Sequence, residues 1–160
     1  MWSCSASRWT RTRKAAAVTA LGTQALVAAA CFNAAAAAAH LACIAIGAPA
    51  YRFMGAGEKV AYAVEAGKPQ PALATWALAG ILATWSAYAL SGAGVVVRLP
   101  LTRAVLLLVC VAYLGRALAF PWLRRFFPGN SGLFWRVSSG LCLFVGLAHL
   151  YGLASRWSLL

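Results

Sequence analysis

Four long stretches of this chain carry almost no charge: 15–50, 72–97, 102–123, which Arg116 interrupts, and 137–155. A hydrocarbon core of about 30 Å is crossed by about 20 helical residues, so each stretch is long enough to span. A chain of 160 residues with four such segments has little left for a soluble domain. The predicted fold class is therefore all-α: an integral membrane four-helix bundle, with a short interfacial helix between the first and second spans.

Composition points the same way. Hydrophobic residues make up 63% and charged residues 10%, against about 25% charged in ordinary globular chains. Fourteen Lys and Arg face only two acids, Glu58 and Glu65, for a net charge of +12. In a soluble protein that excess would suggest nucleic acid. Here the basic residues gather at the ends of the apolar runs, so the expected partners are membrane lipids with anionic headgroups, and no nucleic acid.

The chain divides into a basic N-terminal tail with a cytoplasmic helix extension (1–25), a four-span domain (26–153) and a C-terminal tail (154–160). The tail carries Arg8, Arg11, Arg13 and Lys14 ahead of an alanine-rich run, an order that a signal peptide shares. The apolar run continues far beyond an h-region of about 7–15 residues, so an uncleaved first helix fits better. As one helix, 15–50 would reach about 54 Å, and its most apolar window gives a first span at 26–47, closed by Pro49. Glycines bracket the next segment, which reads as the interfacial helix. Proline in the first turn opens spans at 72–90 and 102–121, and the fourth covers 134–153. The short connection between spans two and three makes them antiparallel neighbours. Trp76, Trp122, Trp135 and Trp157 fall near span ends, where an indole sits half in lipid and half in water.

Orientation rests on the basic block before the first span, because flanking charge is otherwise nearly balanced and the first helix usually dominates. It places both termini in the cytoplasm, in a multi-pass protein of a cell inner membrane. Such balance is also a property of small multidrug exporters, but their proton exchange needs an intramembrane carboxylate, and no span here contains Asp or Glu.

Polar chemistry within the spans is sparse, with Asn33, His40, Arg116 and His149 the main candidates. Two histidines on two helices invite a haem reading. On antiparallel first and fourth spans they lie in opposite halves of the membrane, about 13 Å apart along the axis, so no cofactor is expected. Asn33, His40 and His149 are instead candidates for interhelical polar contacts. Arg116 either snorkels to nearby headgroups or pairs with Glu58, a structural or ligand-binding ion pair that would hold the first loop against the bundle. Five cysteines show no metal spacing. Ser138, Cys142 and Gly146, and likewise Gly80 and Thr84, recur at four-residue intervals and mark faces for close helix packing.

The segment Ile46-Gly47-Ala48-Pro49-Ala50-Tyr51-Arg52-Phe53-Met54-Gly55-Ala56-Gly57-Glu58, with Tyr88-Ala89-Leu90-Ser91-Gly92-Ala93-Gly94 and Leu99-Pro100-Leu101, resembles a group of small four-span bacterial inner-membrane proteins that carries no assigned activity. The resemblance covers roughly 37–152 and implies the span count, without transferring any site residue. Two functional classes follow from the residues. The first is a non-enzymatic membrane component or accessory subunit, within a larger membrane complex or self-associated. The second is a small transporter or membrane enzyme using Tyr51, Arg52, Glu58 and Glu65 of the first loop with Arg116.

Overall fold

A computed structural model describes residues 3–126 and 129–160, with side chains from residue 13 onward. Arg8, Arg11 and Cys4 therefore lie outside the described side chains, and Phe127 and Pro128 outside the described residues. The fold is all-helical, and no strand occurs among the described residues. The elements are α1 (Ser3–Ile46), α2 (Ala48–Phe53), α3 (Glu58–Glu65), α4 (Gln70–Ala93), α5 (Thr102–Leu118), α6 (Phe120–Leu123) and α7 (Gly132–Arg156), closed by a 3₁₀ turn at Trp157–Leu159.

Three regions are long and apolar enough to cross a membrane: Arg13–Ile46, Gln70–Ala93 and Gly132–Leu159. The third predicted span is divided. Pro121 has no N–H and its ring collides with the carbonyl four residues back, so α5 stops after 17 residues at Leu118. Pro121 then sits in the first turn of α6, where proline is tolerated. The same displacement occurs at Pro49, which opens α2 rather than closing α1. It is Gly47, at φ 85°, that ends the first helix, since a side chain would strain that backbone. At the other end of α4 the predicted break at Ser91 comes at Gly94, whose left-handed φ of 74° makes a C-terminal cap. The short helix expected between the first two spans forms as α3, between Gly57 and Gly67, and α2 and α6 are additional short helices. Ser131 caps α7, its hydroxyl accepting from the Phe134 N–H at 3.1 Å. No backbone break marks the predicted boundary at residue 25: α1 is continuous from Ser3.

The long helices pack side by side, α1 against α4 and α7, and α5 against α7 and α4. Each buries a narrow stripe at helical spacing: Leu26, Ala30, Asn33 and Ala37 on α1; Ala79, Leu82, Ser86 and Ala89 on α4; Leu106, Cys110, Tyr113 and Ala117 on α5; Val145, His149 and Leu153 on α7. Outward faces are as apolar as the inside, with Ile81, Leu108, Val111, Phe144 and Leu147 all exposed. In water such a surface would drive aggregation.

Polar bonds fasten the helices to one another. Ser86 Oγ donates to the Ala30 carbonyl at 2.8 Å, joining α4 to α1. Near the chain's C-terminus, Arg156 Nε donates to Gly92 O at 2.7 Å and Arg156 Nη1 to Thr23 Oγ1, so one guanidinium joins α7, α4 and α1. Residues 13–21 of α1 extend past that level largely exposed.

Candidate functional site

Three polar residues of the long helices, Asn33, Tyr113 and His149, converge at one level of the core. Asn33 and His149 have 0% exposure, and Tyr113 from α5 closes against them. Tyr113 donates its O–H to Asn33 Oδ1 at 2.5 Å, Asn33 Nδ2 lies 3.3 Å from His149 Nε2, and His149 Nδ1 lies 2.9 Å from the Val145 carbonyl. The carbonyl can only accept, so Nδ1 carries the hydrogen and a neutral ring offers Nε2 as acceptor. Asn33 must then turn its amide nitrogen to the histidine and its oxygen to the tyrosine. Every polar side chain in this three-helix relay has a partner. Tyr113 also stacks on His149, with centroids 5.7 Å apart and planes 21° from parallel, and takes the edge of Trp85 at 5.4 Å.

Of the three predicted interhelical contacts, Asn33 and His149 thus meet each other. His40 does not join them. Its Nδ1 lies 2.7 Å from the Ala36 carbonyl of its own helix, and it stands seven residues beyond Asn33, about 10 Å further along α1. The imidazoles do not face one another. Tyr113 was absent from the predicted set, although it is the only hydroxyl-bearing residue between Thr102 and Ser131.

The expected Arg116–Glu58 pair is not formed. Glu58 binds Arg52, Oε2 to Nε at 3.0 Å, and Glu65 takes Nη1 of the same guanidinium at 2.8 Å. Arg52, in the last turn of α2, lies only six residues from Glu58 at the start of α3, and so competes locally for it. Hydrogen bonds from Glu65 and then Glu58 raise the Arg52 pKa above its ordinary value, so this cation stays charged throughout any working pH. What holds the first loop against the long helices is different: Asn130 Nδ2 donates to Gly55 O at 2.9 Å, and Gly55 lies so close to the Phe134 ring that an added Cβ would come within 2.6 Å of Cε2.

Arg116 faces α7 instead. Nη2 donates to Ser138 Oγ at 3.2 Å, and the guanidinium carbon lies 5.1 Å from the Trp135 ring centroid, a cation–π distance. Because α5 ends at Leu118, Arg116 occupies its last turn, closer to the helix end than a span reaching residue 121 implies, where a cation also complements the helix dipole. Trp135, expected at an interface, is 3% exposed. It forms the floor beneath Arg116.

Both members of each Arg52 ion pair are well exposed, and such pairs contribute little. Glu58→Gln should therefore change thermal stability in detergent by less than about 1 kcal/mol. A double-mutant cycle of Glu58→Gln with Arg116→Gln should show coupling below about 0.5 kcal/mol; a larger value would restore the predicted pair.

Among the described residues no three His, Cys, Asp or Glu side chains come together as a metal site. A cleft of about 600 Å³, open to the surface, is lined by residues of the α4–α5 connection, from Arg98 to Ala104. No known protein family, no curated protein and no solved structure matches this chain.

Proposed function

We propose that this chain is a non-enzymatic component of a bacterial inner membrane, with α1, α4, α5 and α7 all crossing it and both termini in the cytoplasm. It belongs in this reading with the small four-span bacterial proteins that its first loop resembles. The observation that carries it is the Tyr113–Asn33–His149 relay. The three polar groups of that relay are spent on one another, at zero or near-zero exposure, and none of the three is presented to a ligand. That is how a helix-joining device is built within lipid, whereas a transport or catalytic site keeps a polar group facing a cavity. The alternative based on the first loop has less support: both carboxylates, Glu58 and Glu65, are taken up by the one Arg52 guanidinium, and Arg116 points elsewhere.

The fourth crossing is made by α5 together with α6. Seventeen residues give about 25 Å, slightly short of the hydrocarbon core, and the apolar Phe120–Leu123 turn completes it. The function that follows is assembly, as an accessory subunit or a lipid-organising bundle. Alkaline-phosphatase fusions should be active at residue 62 and inactive at residues 95 and 158. Activity at 95 with none at 62 would invert the orientation, and activity at both would mean dual insertion. Affinity purification from gently solubilised membranes should recover a stoichiometric protein partner or tightly held lipid. A co-purifying small-molecule substrate would defeat the proposal.

A further inference from the structure

The Arg116 guanidinium needs an acceptor that no described residue supplies. Nη2 is used by Ser138, but Nη1 is buried with no hydrogen-bond partner. An unpaired guanidinium N–H away from water is costly, and within a membrane the cost is harder to relieve. The chain has only two carboxylate side chains, and both are engaged by Arg52. A second unpaired polar atom lies on the same face of α7: Ser139 Oγ, one helical turn beyond Trp135, buried and without a partner.

Three features identify what fits. Arg116 is in the last turn of α5, and α6 and the following residues turn away there with Trp122 and Phe126 exposed, their rings 4.7 Å apart. That is an interfacial arrangement, which puts the guanidinium at the depth of lipid phosphates. The Trp135 floor and Ser138 fix the plane of the guanidinium, and a fixed planar fork is suited to the paired oxygens of a phosphate. Exposed Arg124 and Arg125 on the same connection favour an anionic over a zwitterionic headgroup.

We propose that the half-buried guanidinium of Arg116, where α5 packs on α7, is a binding site for the phosphate of one anionic phospholipid. The guanidinium donates to a phosphate oxygen, Trp135 and Ser138 position it, and the acyl chains lie along the exposed apolar faces of α5 and α7. This rests on the membrane reading above, which carbonate extraction tests separately. A chain retained in the membrane pellet but without lipid preference loses only this site; a chain released to the soluble fraction loses both.

The test is native mass spectrometry of the delipidated full chain in mild detergent, titrated with phosphatidylglycerol, phosphatidylcholine or inorganic phosphate. One phosphatidylglycerol should bind per chain about tenfold more tightly than phosphatidylcholine, the scale of one charge-assisted hydrogen bond. Arg116→Gln should erase that preference, while Arg124→Gln keeps it. If Arg116→Gln does not fold, Ser138→Ala carries the test, with an expected weakening of about threefold from loss of one positioning hydrogen bond. Equal affinity of the wild type for the two lipids, or a full preference retained in Arg116→Gln or, where that variant does not fold, in Ser138→Ala, overturns the site. Displacement of phosphatidylglycerol by inorganic phosphate, dependent on Arg116, would make a free anion the occupant and overturn the lipid assignment.

Discussion

Asn33→Leu is expected to destabilise the protein by about 2–5 kcal/mol, because it leaves two buried polar atoms without partners at about 1–3 kcal/mol each. Those atoms are the Tyr113 hydroxyl and His149 Nε2. Single interhelical hydrogen bonds in membranes average only about 0.6 kcal/mol, so the large figure comes from stranding both neighbours at once. The sharper expectation is a reversal of sign. In the wild-type background Tyr113→Phe should destabilise by about 1 kcal/mol, since it strips the donor from Asn33 Oδ1. In the Asn33→Leu background the same change should stabilise, since it removes a hydroxyl that has already lost its acceptor. Thermal unfolding of the four proteins in one detergent measures this. Additive effects would mean that the relay does not act as a unit.

The helical class and the positions of the long elements were legible because apolar runs of that length have few other ways to satisfy their backbone. Turns were less so. Pro49 and Pro121 read as stops, yet each starts a new short helix, since proline forbids only the hydrogen bond its own nitrogen would have made. Asn33 and His149 stood out as polar residues in apolar surroundings, and the core joined them for the same reason. Tyr113 was hidden by its ring, which counts as apolar in any hydropathy reading. The Arg116–Glu58 pairing failed because it weighed depth and side of the membrane but not sequence proximity: Arg52, six residues from Glu58, closes that ion pair across a short loop. Trp135 was read as an interfacial indole from its position near a helix end. Its place on the inward stripe of α7, four residues before Ser139, is what buries it.

Small residues separate into those that the packing uses and those that it leaves open, and the same substitution should have opposite effects on the two. At Gly152 on α7 an added Cβ would collide with Leu26, lying 2.9 Å from Cδ2, and would stand 3.0 Å from the backbone oxygen of Gly22. Leu26 is fully buried, which leaves it little room to swing clear. The carbonyl moves only if α1 and α7 separate. Overpacking of this kind costs about 1–3 kcal/mol and sometimes more, against a helix-propensity gain of about 1 kcal/mol for Gly→Ala. Gly152→Ala should therefore lower stability by about 2 kcal/mol, net of that gain. Leu26→Ala in the same chain should recover only part of the loss, because the Gly22 carbonyl remains in the way. Gly80 recurs with Thr84 on a face that looked equally suited to close packing, yet nothing lies within 4 Å of its added Cβ. Gly80→Ala should be neutral or stabilising by up to about 1 kcal/mol. Unfolding midpoints of the two variants in detergent decide the matter: a Gly80→Ala loss as large as that at Gly152 would mean that this outer face is packed against another molecule, and a neutral Gly152→Ala would mean that α1 and α7 do not approach as closely as Leu26 and Gly22 require.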